Sequence, residues 1–103
     1  MIGLGTWEAP ISTFVFKGTG IMTISDLNGS YDFHFEIVGK TLPEIKVSNI
    51  VENGNTLTAS GDCDALNVHN IPVTLTFDGD TFTGTIKAPL VGRIKVKGKR
   101  KAD

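Results

Sequence analysis

"FDGDTFTGTI", residues 77–86, sets a tight Asp78-Gly79-Asp80 between two runs in which large and small residues alternate. After the turn, Phe82, Gly84 and Ile86 fall on one side, and Thr81, Thr83, Thr85 and Lys87 on the other. Before it, "IPVTLTF" sends Ile71, Val73, Leu75 and Phe77 one way. Alternation on both sides of an Asx-Gly pair is the pattern of a β-hairpin, because glycine accepts the positive φ that a tight turn demands. Two carboxylates around a glycine also suggest a cation loop. Such a loop needs oxygen ligands at several fixed offsets and a closing Glu, which are missing here. Asp78 moreover takes the place of Asn28 and Asn53 in two earlier turns, where no acid pair exists. The stretch is read as a hairpin.

Working outward, Asn28-Gly29-Ser30, Asn53-Gly54-Asn55 and Asp78-Gly79-Asp80 recur at a spacing of 25 residues, and "GNTLTASG" parallels "GDTFTGTI". A two-stranded unit repeated along the chain accounts for both facts. "YDFHFEIV" puts Tyr31, Phe33, Phe35 and Ile37 opposite Asp32, His34 and Glu36. "RIKVKGKRK" puts Ile94, Val96, Gly98 and Arg100 opposite Arg93, Lys95, Lys97, Lys99 and Lys101. No segment shows helical periodicity. Pro10, Pro43, Pro72 and Pro89 avoid the Asx-Gly turns, and proline, lacking a donor, is expected at strand ends. Strands are predicted over 4–10, 16–25, 30–38, 44–51, 55–63, 71–78, 80–87 and 91–100. The fold class is all-β: an eight-stranded antiparallel up-and-down barrel forming one domain over 1–103, closed so that no edge is left bare. The tight turns cap one end. Looser segments around 10–15, 39–44, 64–71 and 88–92 form the other.

Composition narrows the function. Lys and Arg number 10 against 11 Asp and Glu, a net charge of −1, so no overall charge draws the chain to nucleic acid or membrane. A single cysteine, Cys63, permits neither an internal disulfide nor a multi-cysteine zinc motif. "MIGLGTWEAP" has no basic segment and no long apolar core, and nothing approaches the ~20 apolar residues of a membrane span. The expectation is a cytoplasmic chain with no cofactor and no metal, whose candidate partners are a small ligand and further copies of itself. Asp32, His34 and Glu36 share an outward, water-exposed face. His69 stands in a loop without an evident partner, and no Ser or Cys sits in a nucleophile motif. No catalytic residue is assigned, and the chain is not read as an enzyme.

"GTW" near the start and an Arg ending the last strand carry a resemblance. If first and last strands are neighbours, an inward Trp7 meets Arg100, a guanidinium stacked on indole. With "GTWEAP", "DGDTFTGTIKAP" and a closing "GKR", nearly the whole chain resembles small bacterial lipocalin-like domains of the calycin superfamily. The resemblance implies a barrel that binds a small hydrophobic ligand. The inward Tyr31, Phe33, Phe35, Phe77 and Phe82 are its expected wall and the looser loops its mouth, while Trp7 and Arg100 either plug and latch one end or touch the ligand. The chain departs from avidins in having only Trp7, and from lipocalins in being shorter and lacking their C-terminal helix. An eight-stranded barrel is either filled by its side chains or holds one small ligand. The inward aromatics favour filling, which would leave a structural or protein-interaction barrel. Inward Gly18, Gly20, Ala59, Gly61, Gly84 and Gly98 either widen the interior or let strands coil tightly.

Overall fold

The computed structural model describes residues 1–12, 17–39, 43–88 and 92–101. β-Branched and aromatic residues alternating with polar ones pair into eight strands: β1 (Gly5–Ser12), β2 (Lys17–Leu27), β3 (Ser30–Ile37), β4 (Lys46–Asn53), β5 (Thr56–Cys63), β6 (Val68–Asp78), β7 (Thr81–Ala88) and β8 (Gly92–Arg100). They form one antiparallel sheet in the order β3-β2-β1-β8-β7-β6-β5-β4, curled into a nearly closed barrel. The predicted first residues of the second and last strands, 16 and 91, and parts of the looser segments, including Pro89, lie outside the described residues.

The hairpin turns correct one detail of the repeat. At β2–β3 the two-residue loop is Asn28-Gly29, both with positive φ (53° and 89°). At β4–β5 and β6–β7 the loops are Gly54-Asn55 and Gly79-Asp80, with positive φ only at the glycine (63° and 60°). Asn53 and Asp78 are thus the last residues of strands, paired with Thr56 and Thr81, and Asn28 is not their equivalent. The first turn has the φ signs of type I′ and the other two those of type II′, which shifts the first by one residue.

Two prolines sit inside strands rather than at their ends. Pro10 lies in β1, where Thr6 O accepts a bond from Lys101 N (2.8 Å), so residues 6, 8 and 10 turn their backbone toward β8. Pro10 has no N–H for that edge, and among the described residues the β1–β8 ladder is only Trp7↔Arg100 and Glu8↔Lys99. Pro72 lies in β6 one residue before its ladder with β7 begins at Val73↔Ile86. β6 starts earlier than predicted because a register shift, with Asn70 at φ 55°, carries the strand past Ile71.

Closure is incomplete. Among the described residues no ladder joins β3 to β4, and side chains bridge this seam at the tight-turn end. The Tyr31 hydroxyl donates to Glu52 on β4 and accepts from Ile2 N at 2.7 Å. Burial, then the bond to Glu52, push the Tyr31 phenol above its ordinary value; the Ile2 N–H pulls the other way. A tyrosine raised on folding stabilises fully below its unfolded pKa of about 10, and that contribution disappears as pH climbs through the folded value. The native chain is therefore expected to lose more stability than Tyr31→Phe as pH rises above about 10, measured by urea unfolding at each pH. Parallel slopes would detach the seam from this phenol.

Candidate functional site

The tight-turn end is plugged by aromatic packing. Trp7, 0% exposed, lies 5.1 Å from Phe77 and 5.6 Å from Phe82, centroid to centroid. Its indole Nε1 donates to Gly3 O at 2.8 Å. The Arg100 guanidinium stands 4.3 Å from the Trp7 ring, donates from Nη1 to Leu4 O (2.8 Å) and pairs through Nε with Asp80 Oδ1 (3.0 Å). Gly5 permits this latch: at φ 126° it has no Cβ, and one placed there would stand 2.4 Å from Arg100 Nη1.

Above the plug the barrel is hollow. A cavity of about 430 Å³ extends from Trp7 and Phe82 toward the end opposite the tight turns. Its middle is walled by Met22, Phe33, Phe35, Leu57, Val73 and Leu75, and its outer part by Ile11, Ile37, Ile45, Val47, Ile71 and Ile86. The wall is hydrocarbon almost throughout. Among the described residues only Glu36 and Asp62 bring charge to its border, the Glu36 side chain itself standing more than half exposed on the outer face, and the buried Cys63 thiol completes the wall. The expectation of a filled interior is overturned, because the inward aromatics gather at one end and along β3 instead of meeting across the centre.

The glycines divide between the two roles left open for them. A Cβ on Gly61 would have nothing closer than Ile71 O at 3.9 Å, so this glycine widens the cavity. At Gly84 it would come within 2.7 Å of Val96 Cγ2, and at Gly98 within 2.4 Å of both Glu8 O and Phe82 Cε1. Those two glycines allow close strand packing.

Of the seven residues predicted for the ligand site, Trp7, Phe33, Phe35 and Phe82 line the cavity. Tyr31, Phe77 and Arg100 do not: Tyr31 bridges the seam, Phe77 backs Trp7 in the plug, and Arg100 covers the plug from outside. Val73 and Leu75 face inward as the alternation of "IPVTLTF" requires, and with Met22 and Leu57 they join the wall. Ile45 and Val47 were missed altogether. The only available signal in "KVSNIVEN" is Asn49, whose φ of 54° marks a register shift between Ser48 and Val51.

The polar candidates stay outside. His34 Nε2 lies 2.9 Å from Glu36 Oε1, and both side chains are more than half exposed. His69 is less isolated than its loop suggested. After a turn of 3₁₀ helix (Asp64–Leu66) and Asn67 at φ 54°, the chain folds back, leaving His69 Nδ1 3.6 Å from Asp62 Oδ1 and 3.9 Å from Asp64 Oδ1. Among the described residues no group of three or more His, Cys, Asp or Glu is arranged to hold a metal ion, and no helix is long and apolar enough to cross a membrane.

No family model, curated protein or solved structure matches this chain. What can be said of its site therefore rests on the barrel itself.

Proposed function

We propose that this chain is a non-catalytic, lipocalin-like binding module that holds one small hydrophobic molecule inside the barrel. The cavity carries this reading. Its 430 Å³ fall in the lower part of the range of about 300–1,000 Å³ typical of small-molecule sites. Its walls offer carbon surface and few polar partners, so the favourable term is release of water from apolar surface. The Trp7–Arg100 stack and the up-and-down order of strands are consistent with the calycin resemblance. Phe33, Phe35, Met22, Leu57 and Val73 would form the contact surface, with Trp7 and Phe82 as its floor.

The test is displacement of an environment-sensitive naphthylamine dye by single-chain lipids and small aromatic metabolites, alongside native mass spectrometry. One molecule per chain is expected. Gly61→Phe, which puts a ring into the open space beside Ile71, is expected to weaken dye binding by at least about tenfold while the barrel stays folded. A native chain that takes up neither dye nor ligand would end this reading, as would a Gly61→Phe barrel that binds as well as the native one.

A further inference from the structure

Charge is segregated around this barrel. Residues 81–101 hold seven of the ten basic residues and none of the eleven acids. Arg93, Lys95, Lys97 and Lys99 project outward from successive same-face positions of β8, about 7 Å apart. Lys99 reaches Glu8 at 3.9 Å; among the described residues Arg93, Lys95 and Lys97 make no ion pair. In the strand order, two strands separate β8 from β3 on one side and three separate it from β4 on the other, so the stripe and the β3–β4 seam face opposite ways. The seam side carries more acid than base, its one described strand cation being Lys46 at the start of β4, which lies 3.9 Å from Asp64. Asp32 and Glu36 project outward from β3, and Glu44 precedes β4. Both strands present edges without a ladder, and Val38 and Val51 are 62% and 57% exposed.

We propose that copies of this chain associate head to tail, the β8 stripe of one molecule lying on the β3–β4 seam of the next. Complementary charge selects this pairing. Asp32 and Glu36 are four residues apart on a strand, about 13 Å, as are Lys95 and Lys99, so the two rows are commensurate. Lysine stems can rest on Val38 and Val51 while their ammonium groups meet the carboxylates. A symmetric seam-to-seam contact would set acid against acid, which like-charge repulsion disfavours. The two faces of the contact differ, so the arrangement is heterologous and repeats along one direction. Exposed ion pairs are weak and screened. The contact is therefore weak and salt-sensitive.

Sedimentation velocity and light scattering test this directly. At about 10 mM salt the mean mass is expected to rise above 11.0 kDa with concentration, and to return to it near 0.5 M salt. Lys95→Glu/Lys97→Glu and Asp32→Lys/Glu36→Lys should each remain monomeric at low salt, with native circular dichroism. An equimolar mixture of the two should regain the higher mass, because one has two acidic faces and the other two basic ones. A native chain that stays at 11.0 kDa at low salt overturns the proposal; if it is also retained on heparin, the stripe serves a polyanion. Association of either variant equal to that of the native chain, or a mixture that stays monomeric, overturns it as well. The salt series on the native chain decides the matter even if a variant fails to fold.

Discussion

Trp7→Ala is expected to lower stability by about 3–5 kcal/mol, the usual cost of emptying a large aromatic site in a core. The position justifies the upper part of that range. The side chain is fully buried between Phe77 and Phe82, so the barrel can collapse onto the void only by moving both rings. Its Nε1–H bond to Gly3 O is lost, and with it the tie that draws residues 1–4 across the barrel end. Arg100 loses the ring it stacks on. A domain of this size has about 5–15 kcal/mol in all, and each kcal/mol moves the midpoint by about 4–8 °C, so Tm should fall by about 15 °C or more. Trp7→Phe keeps a ring in place but not the N–H donor and should cost about 1–2 kcal/mol. Trp7 is the only tryptophan, so the melts are followed by circular dichroism. A fall below about 1 kcal/mol for Trp7→Ala would mean that the plug does not hold the barrel together.

Much of this architecture was legible because period-two alternation and Asx-Gly turns are local signals. "YDFHFEIV", "DTFTGTIK" and "RIKVKGKRK" became β3, β7 and β8, and the pairing of first and last strands put Arg100 over Trp7 as the alternation required. Alternation reports which face a side chain takes, not how far along the barrel it lies. That is why Tyr31 and Phe77 were grouped with Phe33 and Phe35. Tyr31 is two residues after Gly29 and Phe77 two before Gly79, so both stand at the plugged end. Phe33 and Phe35, farther from the turn, reach the cavity. Counting from the turns would have separated them. β4 was opaque for another reason: the register shift after Ser48 lets Val47 and Ile50 both pack inward, although only two residues separate them, while Val51 is exposed. Whether the interior was filled was a question of volume, and composition does not say whether aromatics stack together or face one another.

The glycine pair Gly61 and Gly98 offers the sharpest contrast, since the same added methyl is expected to act in opposite directions. At Gly98 it would stand 2.4 Å from Glu8 O, 2.4 Å from Phe82 Cε1 and 2.9 Å from Ala9 Cβ. None of these is the free tip of a flexible chain: one is backbone, one is a ring held against Trp7, one is a short side chain on β1. Room has to come from moving β1 off β8 where, among the described residues, the ladder is Trp7↔Arg100 and Glu8↔Lys99. Overpacking costs about 1–3 kcal/mol, and Gly98→Ala should lie at or beyond the top of that range. At Gly61 the nearest atoms would be 3.9 and 4.0 Å away, an ordinary contact. Gly61→Ala should then stabilise by about 0.4–1 kcal/mol, by narrowing the conformations of the unfolded chain. Urea unfolding of the two variants reads both signs. If Gly98→Ala unfolds like the native chain, β1 and β8 do not close the barrel by tight packing at this point. If Gly61→Ala destabilises by more than about 1 kcal/mol, its surroundings are already occupied and the hollow does not extend to β5. The contrast thus tests closure and cavity independently of any ligand.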